Sequence, residues 1–370
     1  MKAARFHGAR DIRIEEVPVP TIAQGQCLVE IEWCGICGSD LHEYLAGPIG
    51  IPTPDNPHPL TGGYMPVTLG HEFCGRVIQT GAGSSFKVGQ AVMVDPHIAC
   101  KSPGCFSCSA GKDHLCDRLA FLGASGAPGG GGLSEYAAVD EDMLHILPEN
   151  VDLDNAAIIE PLVVANHVIK VAKQTLESRN VLIVGGGPIG IALAILLEAQ
   201  SVKTLILSEP TAKRREQARR LGLIQRIIDP KTENLGEICR RITSGKGVDF
   251  VFDCAGVAPA LESALDAISY GGTYINVAMW EKPIPIPFYP FFRKEITFLS
   301  SCCYNKEDFR EVIQLMADGK ITGYEGMITS RVPLAQVVDK GFEELANRKD
   351  DHVKILISPK LRMNEELSQA

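Results

Sequence analysis

Four of the chain's twelve cysteines crowd one short segment: Cys100, Cys105, Cys108 and Cys116. Between them lie Gly, Pro, Ser and Lys, the composition of a loop. Thiolates at such spacing can close a tetrahedral cage around zinc, with sulfur about 2.3 Å from the metal. A cage of four sulfurs leaves no open coordination position, so its role is structural. Residues 97–118 therefore read as a structural zinc lobe.

A second set of possible ligands is scattered. Cys37 sits in Cys34-Gly35-Ile36-Cys37-Gly38-Ser39-Asp40-Leu41-His42, His71 and Glu72 in Gly70-His71-Glu72-Phe73, and Glu160 in Ile159-Glu160-Pro161. One sulfur, one imidazole and one carboxylate suit a zinc that keeps a position for water or substrate. Spacing alone does not join these segments. Taken by itself, Gly-His-Glu is more often a satisfied structural histidine.

A third motif, Gly185-x-Gly187-Pro188-Ile189-Gly190, follows the apolar run Val181–Val184 and precedes a helical stretch. The first glycine permits a tight turn, the second lets backbone approach a pyrophosphate, and the third lets helix pack on strand. The helix start then offers unpaired N–H groups to phosphate. Glu209 lies 19 positions after Gly190, at the end of the next apolar run. An acidic residue about 20 positions on accepts ribose hydroxyls and repels a 2′-phosphate, which favours NAD over NADP. Arg214 and Arg215 pull the other way.

The elements that must position these groups fall into two textures. The first ~150 residues are rich in Gly and Pro with short strand-like runs, such as Cys27–Trp33 and the region 88–94. From about Asn155 the pattern becomes helical (156–173) and then alternates: strand 181–184, helix 191–200, strand 204–207, helix 213–222, strand 250–253, helix 259–268, strand 273–277. Such alternation predicts a parallel sheet covered on both faces. A helix over 306–318 follows, and β-like runs return, ending at 353–357. The tail 361–370 is polar. Residues 1–161 and 305–370 are expected to form a mostly-β catalytic domain, and 162–304 a Rossmann dinucleotide-binding domain.

Net charge is -9, so a polyanionic partner such as nucleic acid is not expected. The longest apolar run, 189–197, is too short to cross a bilayer. Met1-Lys2-Ala3-Ala4-Arg5-Phe6 shows no apolar signal core. A cytoplasmic setting is expected, in which thiols ligate metal or are buried rather than pair.

Together these motifs make the chain resemble the zinc-containing medium-chain alcohol dehydrogenases. Cys37-Gly38-Ser39-Asp40-x-His42, Gly70-His71-Glu72, the four-cysteine lobe and the glycine motif occur in that family's order. Segments 44–49, 58–62, 66–73, 129–136 and 159–162 look most like its butanediol dehydrogenase branch. The resemblance implies a GroES-like catalytic domain beside the Rossmann domain, one catalytic and one structural zinc, NAD, a small diol or ketone as substrate and a homo-oligomer, dimer or tetramer, with a contact near 296–300. It implies that Cys37, His71 and either Glu72 or Glu160 hold the catalytic zinc, that Asp40 orients His71, and that Ser39 and His42 carry the substrate proton away. Cys34 and Cys74 match no ligand position and are expected to be buried thiols. The loop from Gly47 to Met65 is expected to shape the substrate mouth.

Two departures stand out. Four residues, not two, separate Cys100 from Cys105, which leaves the place of Cys100 open. Sorbitol dehydrogenases carry an Arg where Cys303 precedes Tyr304, and its absence favours 2,3-butanediol or acetoin. Sorbitol or another polyol, threonine, and a zinc-free cofactor-binding protein of the same fold are the competing expectations.

Overall fold

In a computed structural model, which describes residues 1–280 and 282–362, the chain folds as two compact units. One unit takes Met1–Glu160, Asn305–Ala317 and, among the described residues, 328–362; the other takes Pro161–Tyr304 and Asp318–Met327. The end of the polar tail, 363–370, lies outside the described residues.

The second unit is built on a six-stranded parallel sheet. Its order is Arg226–Ile228, Thr204–Ser208, Asn180–Val184, Val248–Asp253, Ile268–Asn276 and Thr297–Ser300. Its inner strands are apolar almost throughout, and Val181–Val184, Leu205–Leu207 and Phe250–Phe252 are all buried. That is the signature of a sheet covered on both faces. From the Asn180–Val184 strand the order runs outward in both directions, so the chain reverses its winding there. Ligands of such sheets bind outside the carboxyl ends of the strands at this reversal. The glycine motif begins there, directly after Val184.

The first unit carries a seven-stranded sheet. Gln26–Gly35 lies at its centre, with Glu72–Thr80 on one side and Lys354–Ser358 on the other, both antiparallel to it. Gly35 faces Glu72 on one neighbour and Leu356 on the other. Phe6, Ile31, Phe73, Leu133, Phe342 and Ile355 are among the side chains of its apolar core.

The elements differ from the pattern reading at identifiable places. The helix expected over 156–173 is in two parts, a 3-10 stretch Leu153–Ile158 and a regular helix Ile159–Val171. Asp152 starts the first by accepting the Asp154 N–H at 3.0 Å. Pro161 falls in the first turn of the second, where its missing N–H breaks no bond. A helix over Leu235–Ile242, capped by the Asn234 side chain on the Glu237 N–H at 3.0 Å, interrupts a region that carried no assignment. The Ile268–Asn276 strand begins earlier than expected, passing through Gly271 at φ +68. Among the described residues, no helix is long and apolar enough to cross a membrane.

Candidate active site

The Gly38–Ala46 helix begins at Cys37, which occupies the N-cap. The Asp40 carboxylate reaches back and accepts the Cys37 N–H at 3.0 Å. Its other oxygen is 3.5 Å from His71 Nδ1. Asp40 is 2% exposed, so one buried carboxylate both caps the helix and faces the imidazole. That favours the tautomer with the proton on Nδ1 and leaves Nε2 as a ligand atom. Ser39 Oγ stands 3.4 Å from Nε2.

Ligand atoms of Cys37, His71 and Glu72 all lie within 4.8 Å of one another. His71 Nδ1 is buried, with Asp40 at 3.5 Å facing it. Burial opposes a charge on His71, but Asp40 and then Cys37 outweigh it and hold its pKa well above the ordinary value. Such an environment suits a bound cation, and this donor set fits zinc. Glu160, buried in the first turn of the Ile159–Val171 helix, does not join the mutual group. His42 is half-buried on the Ser39 helix. Cys34 and Cys74 are fully buried, and burial, first among the causes, raises both thiols. The 47–65 loop is held at its start by Glu43, whose carboxylate accepts the Ile49, Gly50 and Ile51 N–H groups at 2.8, 2.5 and 3.2 Å.

Sequence reasoning passed over Lys354. Its Nζ donates to both oxygens of Glu72 at 2.7 Å and to the Ile36 carbonyl at 3.2 Å. The one available signal was a lysine inside the apolar run Val353–Ile357, where an ammonium requires a buried partner.

The four lobe cysteines come together, Cys100 included: their sulfurs all lie within 4.8 Å of one another. Cys100 and Cys108 are 3.7 Å apart, Cys105 and Cys116 4.0 Å. Sulfurs at the corners of a tetrahedral zinc site with 2.3 Å bonds stand about 3.8 Å apart, so the set fits the metal. The longer Cys100–Cys105 spacing is taken up by a turn that starts at Lys101, φ +49. The Ser102 backbone N–H, followed by neighbouring thiols, lowers Cys100 to about 7, which makes thiolate available near neutrality.

At the glycine motif, Gly185 has φ +98, a conformation costly for other residues. A Cβ on Gly190 would lie 1.9 Å from the Gly185 carbonyl oxygen. Gly187 caps the Pro188–Ala199 helix, with Pro188 and Ile189 in its first turn. Glu209, 2% exposed, accepts the Gly186 N–H and the Thr211 N–H at 2.7 Å each. Arg215 is committed to Asp229 at 2.8 Å. Arg214 Nη1 lies 3.8 Å from where a Cβ on Gly187 would be. Beyond the next strand, buried Asp253 accepts the Ala255 and Gly256 N–H groups and the Tyr274 hydroxyl, fixing the turn that faces Gly185.

The amino-terminal part matches the alcohol dehydrogenase GroES-like domain over residues 23–149, and residues 188–318 match the zinc-binding dehydrogenase family. The (R,R)-butanediol dehydrogenase of Neisseria gonorrhoeae is 38% identical over 98% of this chain and 100% of its own length. The chain belongs to the zinc-binding alcohol dehydrogenase family. The crystal structure of 2R,3R-butanediol dehydrogenase from Bacillus subtilis superposes with a TM-score of 0.88 at 36% identity, covering 97% of this chain and 99% of that one. An alcohol dehydrogenase structure from Escherichia coli CFT073, complexed with NADH, gives 0.83 at 29% identity over 97% and 99%. This family member is thus a zinc-dependent dehydrogenase of a small-molecule substrate. It has the GroES-like and Rossmann folds and uses a nicotinamide dinucleotide.

Proposed function

We propose that this dehydrogenase oxidises a small vicinal secondary diol of the 2,3-butanediol class to the hydroxyketone, reversibly, with NAD as hydride acceptor. The observation that carries the reading is the meeting of Cys37, His71 and Glu72 beside Ser39, in a chain matched end to end by butanediol dehydrogenases. Residues 1–161 and 305–370 would supply the chemistry and residues 162–304 the dinucleotide site.

Cys37, His71 and a carboxylate of Glu72 or Glu160 would hold zinc; when bound, it supplies Lewis acidity toward the alcohol oxygen, and NAD accepts the hydride. Ser39 Oγ takes the hydroxyl proton. His42, three positions on and therefore on the same helix face, passes it toward solvent. Asp40 keeps the imidazole oriented. Cys100, Cys105, Cys108 and Cys116 would hold the second zinc, away from the chemistry. Gly185, Gly187, Pro188, Ile189 and Gly190 would present backbone to the pyrophosphate, Glu209 would accept ribose hydroxyls, and Arg214, close to Gly187, would face the phosphates. Cys303 before Tyr304, where a polyol enzyme carries Arg, favours a short substrate.

The test is kcat/KM for the three stereoisomers of 2,3-butanediol, acetoin, sorbitol and threonine, with NAD and NADP, on protein of measured metal content. We expect a butanediol isomer to lead with NAD, at about two zincs per chain. Sorbitol or threonine in the lead would overturn the diol. Protein without zinc that binds NAD and turns over nothing would favour a zinc-free cofactor binder.

We also propose a homo-oligomer formed along the Thr297–Ser300 edge strand. Its outer edge has no partner strand among the described residues. The neighbouring Phe288–Lys294 helix exposes Phe288 (72%) and Phe292 (80%). Unpaired strand edges with exposed aromatics call for cover. Light scattering that shows a monomer at micromolar concentration would refute this. We also propose a cytoplasmic setting, in which cysteines serve as metal ligands or buried thiols; cell fractionation would test it.

A further inference from the structure

Glu72 is at once a candidate metal ligand and half of a buried ion pair. Its side chain is 1% exposed and that of Lys354 is 2% exposed. The ammonium has three donors, and three acceptors receive them: both Glu72 oxygens and the Ile36 carbonyl. The sheet builds this arrangement. Glu72 and Lys354 sit on the two strands that flank Gln26–Gly35, and Gly35 lies between them. A Cβ on Gly35 would stand 2.1 Å from Glu72 Oε2 and 3.2 Å from Lys354 Cδ. The bare backbone at Gly35 is the slot in which carboxylate and ammonium meet.

We propose that Lys354 is a positioning residue that competes with the catalytic metal for the Glu72 carboxylate and so keeps a coordination position open. The inference rests on the zinc reading of Cys37 and His71. The chemistry behind it is charge and geometry. A carboxylate oxygen within a few ångströms of a thiolate and an imidazole will close onto a divalent cation at 2.0–2.2 Å unless something holds it back. An ammonium bonded to both oxygens in a dry site does so, because each N–H given up leaves a buried donor unpaired. The same pairing neutralises Glu72. Cys37 would then be the charged donor of the group Cys37, His71 and Glu72 that faces a bound cation. Glu160 also acts electrostatically on Lys354, so the ammonium draws on both carboxylates named as possible ligands. With Lys354 present, Glu72 is a ligand in reserve.

The test compares wild type with Lys354→Met, Lys354→Arg, Glu72→Gln and the double variant Lys354→Met/Glu72→Gln. The readouts are zinc content, the absorption spectrum of enzyme with cobalt exchanged into the catalytic site, and the rate of metal removal by a chelator. Lys354→Met is expected to let Glu72 onto the metal. Metal removal then slows by about tenfold or more, the cobalt spectrum changes, imidazole no longer perturbs that spectrum, and kcat falls while zinc content holds. Lys354→Arg retains the wild-type spectrum, and the double variant returns to that of Glu72→Gln. A purely structural ion pair would instead lower thermal stability in Lys354→Met and leave the cobalt spectrum and chelator rate as in wild type. That result, or a double variant that behaves like Lys354→Met, overturns the proposal. Should Lys354→Met not fold, Lys354→Gln, which keeps a donor without charge, carries the same comparison. Wild-type protein with no zinc beyond the four-cysteine site would instead mean that the underlying zinc reading had failed.

Discussion

Replacing Glu209 by Gln keeps the side chain's shape and removes its charge, which separates two jobs done by one carboxylate. It accepts the N–H groups of Gly186 and Thr211, one on each oxygen, at 2.7 Å. An amide accepts only one of these and meets the other donor to donor, at a cost of about 1–3 kcal/mol. That penalty weakens NAD and NADP alike. The charge acts on one cofactor only. Two like unit charges about 4 Å apart at an effective dielectric near 20 repel by roughly 4 kcal/mol, which sets the upper scale for a 2′-phosphate brought against this carboxylate. Screening leaves less than this, and each 1.4 kcal/mol is about tenfold. The ratio of kcat/KM for NAD to that for NADP should therefore fall by about tenfold to about a thousandfold, while kcat/KM with NAD drops by the smaller hydrogen-bond penalty. Initial rates with both cofactors, at matched zinc content, measure this. If both cofactors lose equally and the ratio stands, Glu209 only braces the glycine turn and the assignment of NAD has lost its residue.

Three further perturbations probe other parts of the molecule. Cys108→Ser breaks a cage in which Cys108 stands 3.7 Å from Cys100. It should cut zinc from about two to about one per chain and lower Tm, with kcat per folded, metal-loaded active site unchanged; an equally stable variant that keeps both metals would count against the lobe. Gly190→Ala sets a methyl 1.9 Å from a carbonyl oxygen held by the Gly185 turn. It should cost about 1–3 kcal/mol in stability and weaken NAD binding, and calorimetry with a cofactor titration would expose an unperturbed variant. His145 stacks on Phe309 at 4.7 Å, and burial, opposed by Asp95 and aided by Arg310 and Lys306, lowers its pKa from 6.5 to about 4. The unfolded chain thus binds a proton that the folded one refuses between those values. Stability falls as pH drops from 6.5 toward 4, by up to about 3 kcal/mol. In His145→Phe the slope over that window should shrink, and identical urea midpoints against pH for both proteins would refute it.

What could be read from the residues depended on how far the deciding contact reaches along the chain. The glycine turn, Glu209 and the helix after them form one continuous strand–turn–helix–strand unit. Their spacing therefore reports their geometry. The cysteine lobe is local too, although the comparison with the family pattern left Cys100 open, because two extra residues before Cys105 allow many loop shapes. Only the fold shows that the turn at Lys101 delivers the sulfur. The Leu235–Ile242 helix carries a local sequence signal too, since Asn234 stands three residues before Glu237 as a cap and first-turn acid would.

The catalytic cluster was legible by resemblance alone, and the sheet explains why. Gly35, Glu72 and Leu356 are register partners across three adjacent strands. Pairings that join positions so far apart leave no periodicity in any window of the sequence. Only once those strands are aligned does a single lysine at 354 acquire a partner at 72 and a slot at 35. The same alignment gives Gly35 a reason that its own neighbourhood does not: it is a glycine with ordinary backbone angles, selected by the carboxylate opposite. Asp40 shows the converse. Its bond to the Cys37 N–H is a local helix cap, readable from a spacing of three, and its approach to His71 is a long-range contact. One residue bearing both kinds of constraint ties the helix start, and with it Cys37 and Ser39, to the histidine. The fold itself thereby holds Cys37, Ser39 and His71 in mutual register.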